Sequence, residues 1–165
     1  MERIQPEIWN LLSRGFKYLV ISSAISIFWW WFIPLLTLGS VIAVFAISKY
    51  LRVTLKELSK IDNKFKTCYN GITILFLGYV IAAVIYTYMY SIFLLPVGIL
   101  LGLTLTASRL YKIYRDWRFL AASIIYVPEA IASIFLLVGV FSVVGHMLTY
   151  SALKSITKKF PEITS

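Results

Sequence analysis

Two side chains in the apolar parts of this sequence can carry proton or metal chemistry. Glu129 is the only carboxylate, and His146 is the only histidine, within the three long runs that lack Lys, Arg and Asp. An ionisable side chain in an apolar helix is costly and is therefore a candidate functional group. Glu129 and His146 are the candidate functional polar residues of the chain.

Glu129 directly follows Pro128, and a proline–acid step is typical of the first turn of a helix. There the helix dipole and the free backbone N–H groups stabilise a carboxylate. The sequence therefore favours a capping or interface position. A proton or cation role and a salt bridge to another subunit are the two other open interpretations.

His146 is expected to be a hydrogen-bonded, helix-packing histidine, and contact with a quinone or a partner subunit is the alternative. One histidine cannot supply both axial ligands of a haem or a metal site with several His ligands. On one straight helix Glu129 and His146 would be too far apart to cooperate. The sequence also lacks Walker A, HExxH, GxSxG and CxxC motifs. We expect no enzyme activity, no catalytic residue, and no metal or cofactor bound by this chain alone.

The elements that carry these residues belong to a membrane protein. Of the 165 residues 60% are hydrophobic and 14% are charged, a composition too apolar for a soluble domain of this size. The uncharged runs, as we call them although the last contains Glu129, cover 18–48, 67–108 and 119–153, and each exceeds the roughly 20 residues of one transmembrane helix. The sequence predicts an all-α, multi-pass integral membrane protein with a single membrane domain over 1–165.

Each run contains one proline, and aromatic residues lie close to the first two prolines. The prolines are Pro34, Pro96 and Pro128, and the aromatic interface anchors are Trp29, Trp30, Trp31, Tyr88 and Tyr90. Proline starts or breaks helices, and Trp and Tyr prefer the headgroup level. These features predict helical hairpins over about 16–50, 67–110 and 117–154 that turn near the prolines. Six short transmembrane helices are preferred, and four or five are possible.

The charges predict the orientation of these hairpins. Lys and Arg outnumber Asp and Glu by 16 to 7, and all the basic residues lie outside the uncharged runs. Hairpins would bring every basic cluster to one side, which the positive-inside rule makes cytoplasmic, together with both termini. We therefore expect a plasma-membrane protein with cytoplasmic basic loops over 49–66 and 109–118. Lipid or partner contacts are expected from Lys56, Lys60, Arg109, Lys112 and Arg115, and nucleic acid is not expected as a partner.

Small residues mark the expected helix contacts. Gly98 and Gly102 form a GxxxG motif, and Gly139 and Gly145 lie in the last apolar run. Such residues let helix backbones approach closely, within one chain or between copies. A homo-oligomer is therefore possible.

The segment Lys56–Gly78, KELSKIDNKFKTCYNGITILFLG, resembles uncharacterised multi-pass membrane proteins of thermoacidophilic crenarchaea. The shared features are a basic linker with an acid-bearing "ID" step and a glycine-punctuated apolar helix, and hydropathy is similar over most of the chain. That family offers no catalytic residues to carry over. Hydrophobic proteins of this length also serve as accessory subunits of crenarchaeal terminal oxidase complexes, a role that the resemblance permits.

The predicted function is that of a non-catalytic accessory subunit in a larger integral membrane complex, of the respiratory, terminal-oxidase type. Its expected partners are other integral membrane subunits and lipids. One alternative is a small oligomeric transporter or channel that uses Glu129. The second is a lipid-binding, membrane-organising protein.

Overall fold

The computed structural model describes residues 6–28, 34–84, 88–135 and 139–159, which form six helices and contain no strand. The helices are α1 (Pro6–Ile27), α2 (Pro34–Ile61), α3 (Phe65–Ala82), α4 (88–114), α5 (Trp117–Ile134) and α6 (Val140–Lys159). The prediction of an all-helical chain is confirmed for these residues. The expected anchors Trp29, Trp30 and Trp31 and the side chains of Tyr88 and Tyr90 lie outside the described part.

The six helices form a closed antiparallel bundle. Each helix packs against the next one in sequence, and α1 also packs against α6, which completes the ring. Between α1 and α2, for example, Gly15 lies against Leu51, and the Ser22 hydroxyl donates to the Gly39 carbonyl at 2.8 Å. Because successive helices reverse direction, 6–17, 49–66, 109–118 and 154–159 lie at one end, which we call the basic end.

Four described helical segments are long and apolar enough to cross a membrane. They are Pro34–Ile61, Phe65–Ala82, Ser91–Tyr114 and Trp117–Ile134. α1 and α6 are not among them, and both helices carry charged residues in the half nearest the basic end. The expectation of apolar, membrane-length helices is therefore confirmed for these four segments.

The prolines mark only one of the three predicted turns. Pro34 begins α2, as expected, but α4 continues through Pro96 and α5 continues through Pro128. The breaks instead fall between Ala82 and Tyr88 and between Ile134 and Val140. Neighbouring helices can hold a membrane helix together across a proline, which explains why the two interior prolines do not end their helices. In α4 a π-helical stretch, Ile99–Thr104, follows Pro96 closely.

The basic segments expected as loops over 49–66 and 109–118 are mostly helical. α2 continues to Ile61 because Leu51, Leu55 and Leu58 point into the core, where each is at most 1% exposed. Only 62–64 separate α2 from α3. Likewise, only Arg115 and Asp116 separate α4 from α5, and Arg115 adopts a left-handed conformation with φ 55°. The helices thus extend beyond the apolar runs because their inner faces stay apolar.

Glycines set the distance between α3 and α4. A Cβ atom on Gly98 would lie 2.5 Å from the Cα of Leu75, and one on Gly102 would lie 2.9 Å from the Ile72 nitrogen. Gly71 lies against the backbone of Gly102 in the same way. The GxxxG pair therefore packs inside this chain, and the two backbones touch over about two helical turns.

Candidate functional site

The inner face of α5 presents the polar residues of the candidate site. α5 begins at Trp117, where the Asp116 side chain accepts a hydrogen bond from the Arg118 N–H at 3.0 Å and caps the helix. Helical spacing then directs Tyr126, Glu129 and Ser133 towards the core, one turn apart. Tyr126 and Glu129 are completely buried, on the side of α5 that faces α6.

The Glu129 carboxylate caps α6, the helix that follows its own. One oxygen, Oε1, accepts a hydrogen bond from the Gly139 N–H at 2.8 Å. The other, Oε2, accepts from the Phe141 N–H at 2.9 Å and from the Ser142 N–H at 3.1 Å. The first-turn N–H groups of a helix have no partner within the helix, and they carry the positive end of its dipole. Because both oxygens accept N–H bonds, the geometry fits an ionised carboxylate.

This arrangement differs from the helix start expected at Pro128 and Glu129. Both residues lie in the last two turns of α5, so Glu129 does not stabilise the beginning of its own helix. α6 runs in the opposite direction to α5, and its start lies against the carboxylate. Capping is thus the contact that the structure shows, but it acts across the hairpin.

Gly139, directly before α6, has a backbone conformation that favours glycine. Its φ of +98° lies in the region that side-chain-bearing residues rarely adopt. An added Cβ would also lie 2.7 Å from the carbonyl oxygen of Ser23 in α1. The capped start of α6 is therefore wedged directly against α1, so the Glu129 contact lies where α1, α5 and α6 meet.

His146 lies in the same α5–α6 contact as Glu129, opposite Tyr126, which precedes Glu129 by one turn on α5. The Tyr126 hydroxyl oxygen is 2.8 Å from His146 Nδ1 and 3.4 Å from Thr149 Oγ1, and all three residues are fully buried. Thr149 donates its own proton to the Gly145 carbonyl at 2.9 Å. Gly145 has a steric role as well, because its Cβ would lie 2.6 Å from the Tyr126 ring.

Two proton arrangements fit the Tyr126–His146 contact. In one, Tyr126 donates to Nδ1; in the other, an Nδ1–H group donates to Tyr126, whose proton then turns towards Thr149. In both, His146 Nε2 is buried without a hydrogen-bond partner among the described residues. The His146 ring packs between Tyr126 and Phe16 of α1. Its centroid is 5.4 Å from that of the Tyr126 ring and 5.9 Å from that of the Phe16 ring. His146 therefore belongs to the α1–α5–α6 packing.

The structure thus brings Glu129 and His146 to the same helix contact, although the sequence suggested that they could not cooperate on one helix. They lie on two antiparallel helices, and Tyr126, one turn before Glu129, contacts His146. Sequence analysis missed Tyr126 and Thr149. The signal for Tyr126 was its position three residues before Glu129, which places both on one helix face.

The chemistry available to this cluster is limited by its enclosure. Glu129, Tyr126 and His146 have no exposed surface, and the carboxylate is occupied by main-chain donors. Among the described residues no three His, Cys, Asp or Glu side chains come together as metal ligands. What the cluster does is hold three helices in register.

The residues predicted to contact lipid or a partner lie at the basic end. Lys60 forms an exposed ion pair with Glu57 at 2.8 Å, and Arg115 lies over the Tyr111 ring at 5.9 Å. Lys56 is exposed at the surface of α2. Arg109 and Lys112, together with residues of the 62–64 turn, line a cleft of about 290 Å³.

Comparison with protein-family models, curated proteins and solved structures found no match to this chain.

Proposed function

We propose that this chain is a non-catalytic subunit of a larger integral membrane complex. In this proposal all six helices cross the plasma membrane, the basic end and both termini lie in the cytoplasm, and the outer surface packs against lipid and partner subunits. The positive-inside rule supports the orientation, because the basic residues of the described chain gather at one end of the bundle.

The non-catalytic role is supported most strongly by the hydrogen bonds and the burial of Glu129. A charge inside an apolar helix is a functional candidate by default, but here three main-chain N–H groups take up both oxygens. The carboxylate is also 0% exposed, so no substrate reaches it without opening the bundle. These contacts support a role in building the fold.

The same burial weighs against the alternative of an oligomeric transporter that uses Glu129. Such a pathway requires the carboxylates of several copies to converge on a shared axis. Glu129 instead points into the interior of a single chain, towards α6. An ion-conducting assembly would have to break the α6 cap in every copy.

The surface around α1 supports lateral packing against a partner. Ile21 is the exposed large apolar residue described on α1, and the exposed face of this helix continues with Glu7, Asn10, Arg14 and Lys17. By contrast, α5 exposes a full apolar stripe, which consists of Leu120, Ile124, Val127, Ile131 and Ile134. A bilayer core of about 30 Å suits the second surface better than the first. A partner subunit that covers α1 would remove the mismatch between the short apolar surface of this helix and the thickness of the bilayer core.

A labelling experiment tests the orientation. In a Cys68→Ala background, Lys112→Cys and Phe135→Cys place single exposed thiols at opposite ends of the bundle. A membrane-impermeant maleimide added to intact cells is expected to label position 135 and to leave position 112 unmodified until the cells are lysed. Labelling of both positions, or of 112 alone, from outside would contradict the proposed orientation.

A second experiment tests the partner. A photo-crosslinking amino acid at Ile21 of α1 is expected to capture an integral membrane protein, whereas one at Val127 of α5 captures lipid. The two positions are matched, with 40% and 42% of their side chains exposed. Purification of the tagged chain in mild detergent should yield the same partner in stoichiometric amount, and haem or copper subunits there would support the respiratory role. A lone chain, or a homo-oligomer that conducts ions and loses conductance in Glu129→Gln, would overturn the proposal.

A further inference from the structure

The cleft at the basic end lies between the start of α3 and the last turns of α4. Its lining consists of Asp62, Lys64, Phe65, Arg109, Lys112 and Ile113. The first three come from the α2–α3 turn and the start of α3, and the others come from the last turns of α4. The volume of about 290 Å³ is at the small end of the range for ligand sites, so it suits a headgroup-sized molecule.

Three cations meet in this cleft without an ion-pair partner. Nearby acids are already engaged, because Glu57 pairs with Lys60 and Asp116 pairs with Arg118. Within the described part of the chain, no salt bridge involves Lys64, Arg109 or Lys112.

The carboxylate of Asp62, the only acid in the lining, accepts the backbone N–H of Lys64 at 2.9 Å and thereby fixes the turn. The lining therefore carries two more positive than negative charges. Like charges held close together repel each other unless an anion lies between them.

The glycine contact between α3 and α4 fixes the backbone positions from which these cations extend. Gly71 and Gly102 touch through their backbones about two turns below the cleft, so the helices cannot slide or separate there without losing that contact. The cleft floor is also firm, since Phe65 is only 2% exposed. Because the backbone spacing of the cations is fixed, an anion that binds between them has to order only their side chains.

We infer that this cleft binds a phosphate group, supplied by the headgroup of an anionic phospholipid in the leaflet at the basic end. Arg109, Lys64 and Lys112 provide charge-assisted donors for the phosphate oxygens. The half-buried Ile113 adds an apolar side above the Phe65 floor, which suits the glycerol of a lipid. Soluble phosphate shares this chemistry and is distinguished below. The inference does not depend on the proposed subunit role and can fail while that role stands.

Titration of the purified full-length chain in a neutral detergent tests the inference, with bound lipid counted by native mass spectrometry. The ligands are dioctanoyl phosphatidylglycerol, dioctanoyl phosphatidylcholine and inorganic phosphate. We expect one saturable phosphatidylglycerol site that binds at least about tenfold more tightly than phosphatidylcholine. If inorganic phosphate competes with similar affinity, the source is soluble phosphate; if it does not, the lipid headgroup is the ligand.

The decisive comparison uses two double variants with the same loss of charge. Lys64→Gln with Lys112→Gln removes two exposed cations from the cleft, and Lys154→Gln with Lys158→Gln removes two exposed cations from α6 at the same end. The first pair is expected to weaken phosphatidylglycerol binding about tenfold or more, and the second pair less than about twofold. Because all four side chains are exposed, neither pair should disturb folding.

Three results would overturn the inference: equal losses in both pairs, equal binding of the two lipids, or no saturable site for any of the three ligands. Equal losses would mean that the basic end attracts anions through its general charge alone.

Discussion

Replacing Glu129 by glutamine tests the central contact of the bundle with a change of nearly equal shape. The carboxylate offers two acceptor oxygens to three N–H groups, whereas an amide offers one. In the better orientation the amide oxygen still accepts the hydrogen bonds from the Phe141 and Ser142 N–H groups. Its NH2 group then faces the Gly139 N–H at a donor–donor distance of about 2.8 Å.

The expected loss of stability follows from these contacts. Leaving one buried N–H unsatisfied costs about 1–3 kcal/mol, and each of the two retained bonds weakens by about 1 kcal/mol when the charge is removed. Relief from burying a charge offsets part of this cost. We therefore expect Glu129→Gln to lower the free energy of unfolding by about 2–4 kcal/mol.

Reversible unfolding in mixed micelles, followed by circular dichroism, measures this loss. Ser133→Ala is the matched control, because Ser133 is equally buried one turn further along α5 and only donates to the Ala130 carbonyl at 2.8 Å. That control should cost about 1 kcal/mol or less. Amide exchange at Gly139, Phe141 and Ser142 should accelerate in Glu129→Gln. If stability falls no further than in the control and those amides exchange at the wild-type rate, the cap does not stabilise the bundle.

Three further substitutions test the packing around this contact. Gly139→Ala should lower stability by about 1–3 kcal/mol, because φ is +98° and the new Cβ would press on the Ser23 carbonyl; an unchanged melting temperature would contradict the tight turn. Tyr126→Phe removes the hydroxyl that contacts His146 Nδ1 and should lower the free energy of unfolding by about 1–3 kcal/mol in the same assay. An unchanged free energy of unfolding would mean that Tyr126 stabilises the bundle through its ring alone. Gly98→Ala should lower the free energy of unfolding by about 1–3 kcal/mol, because the new Cβ pushes α4 away from α3. A disulfide between cysteines introduced on the two sides of that contact should form more slowly in this variant.

The all-helical architecture and the apolar, membrane-length segments followed from charge and hydropathy, because apolar runs and basic clusters report directly on burial. The turn positions did not follow from proline. Pro34 begins a helix, but Pro96 and Pro128 lie within helices, where neighbouring helices support the chain. A turn at Gly139 is determined by a backbone conformation and by contact with α1, and neither is visible in the local sequence.

The role of Glu129 shows where sequence reasoning reaches its limit. The residue type and its apolar surroundings identified it as exceptional, and helix capping was among the interpretations. The partner, however, depends on how α5 and α6 align, and that alignment also creates the Tyr126–His146 hydrogen bond. A Tyr three residues before an acid in an apolar helix is a usable signal only after the facing helix is known.

The bundle therefore directs its polar groups inward and its charges to one end, which determines where interactions with other molecules are available. The candidate cluster is sealed at the junction of α1, α5 and α6, so substitutions there should act through stability. The cleft beside Arg109 and the short apolar face of α1 are instead accessible from outside the chain. Variants at these two surfaces should change lipid or partner binding while unfolding stays unaltered. A variant of the α1 surface that lowers stability as much as Glu129→Gln would show that this separation of roles is incorrect.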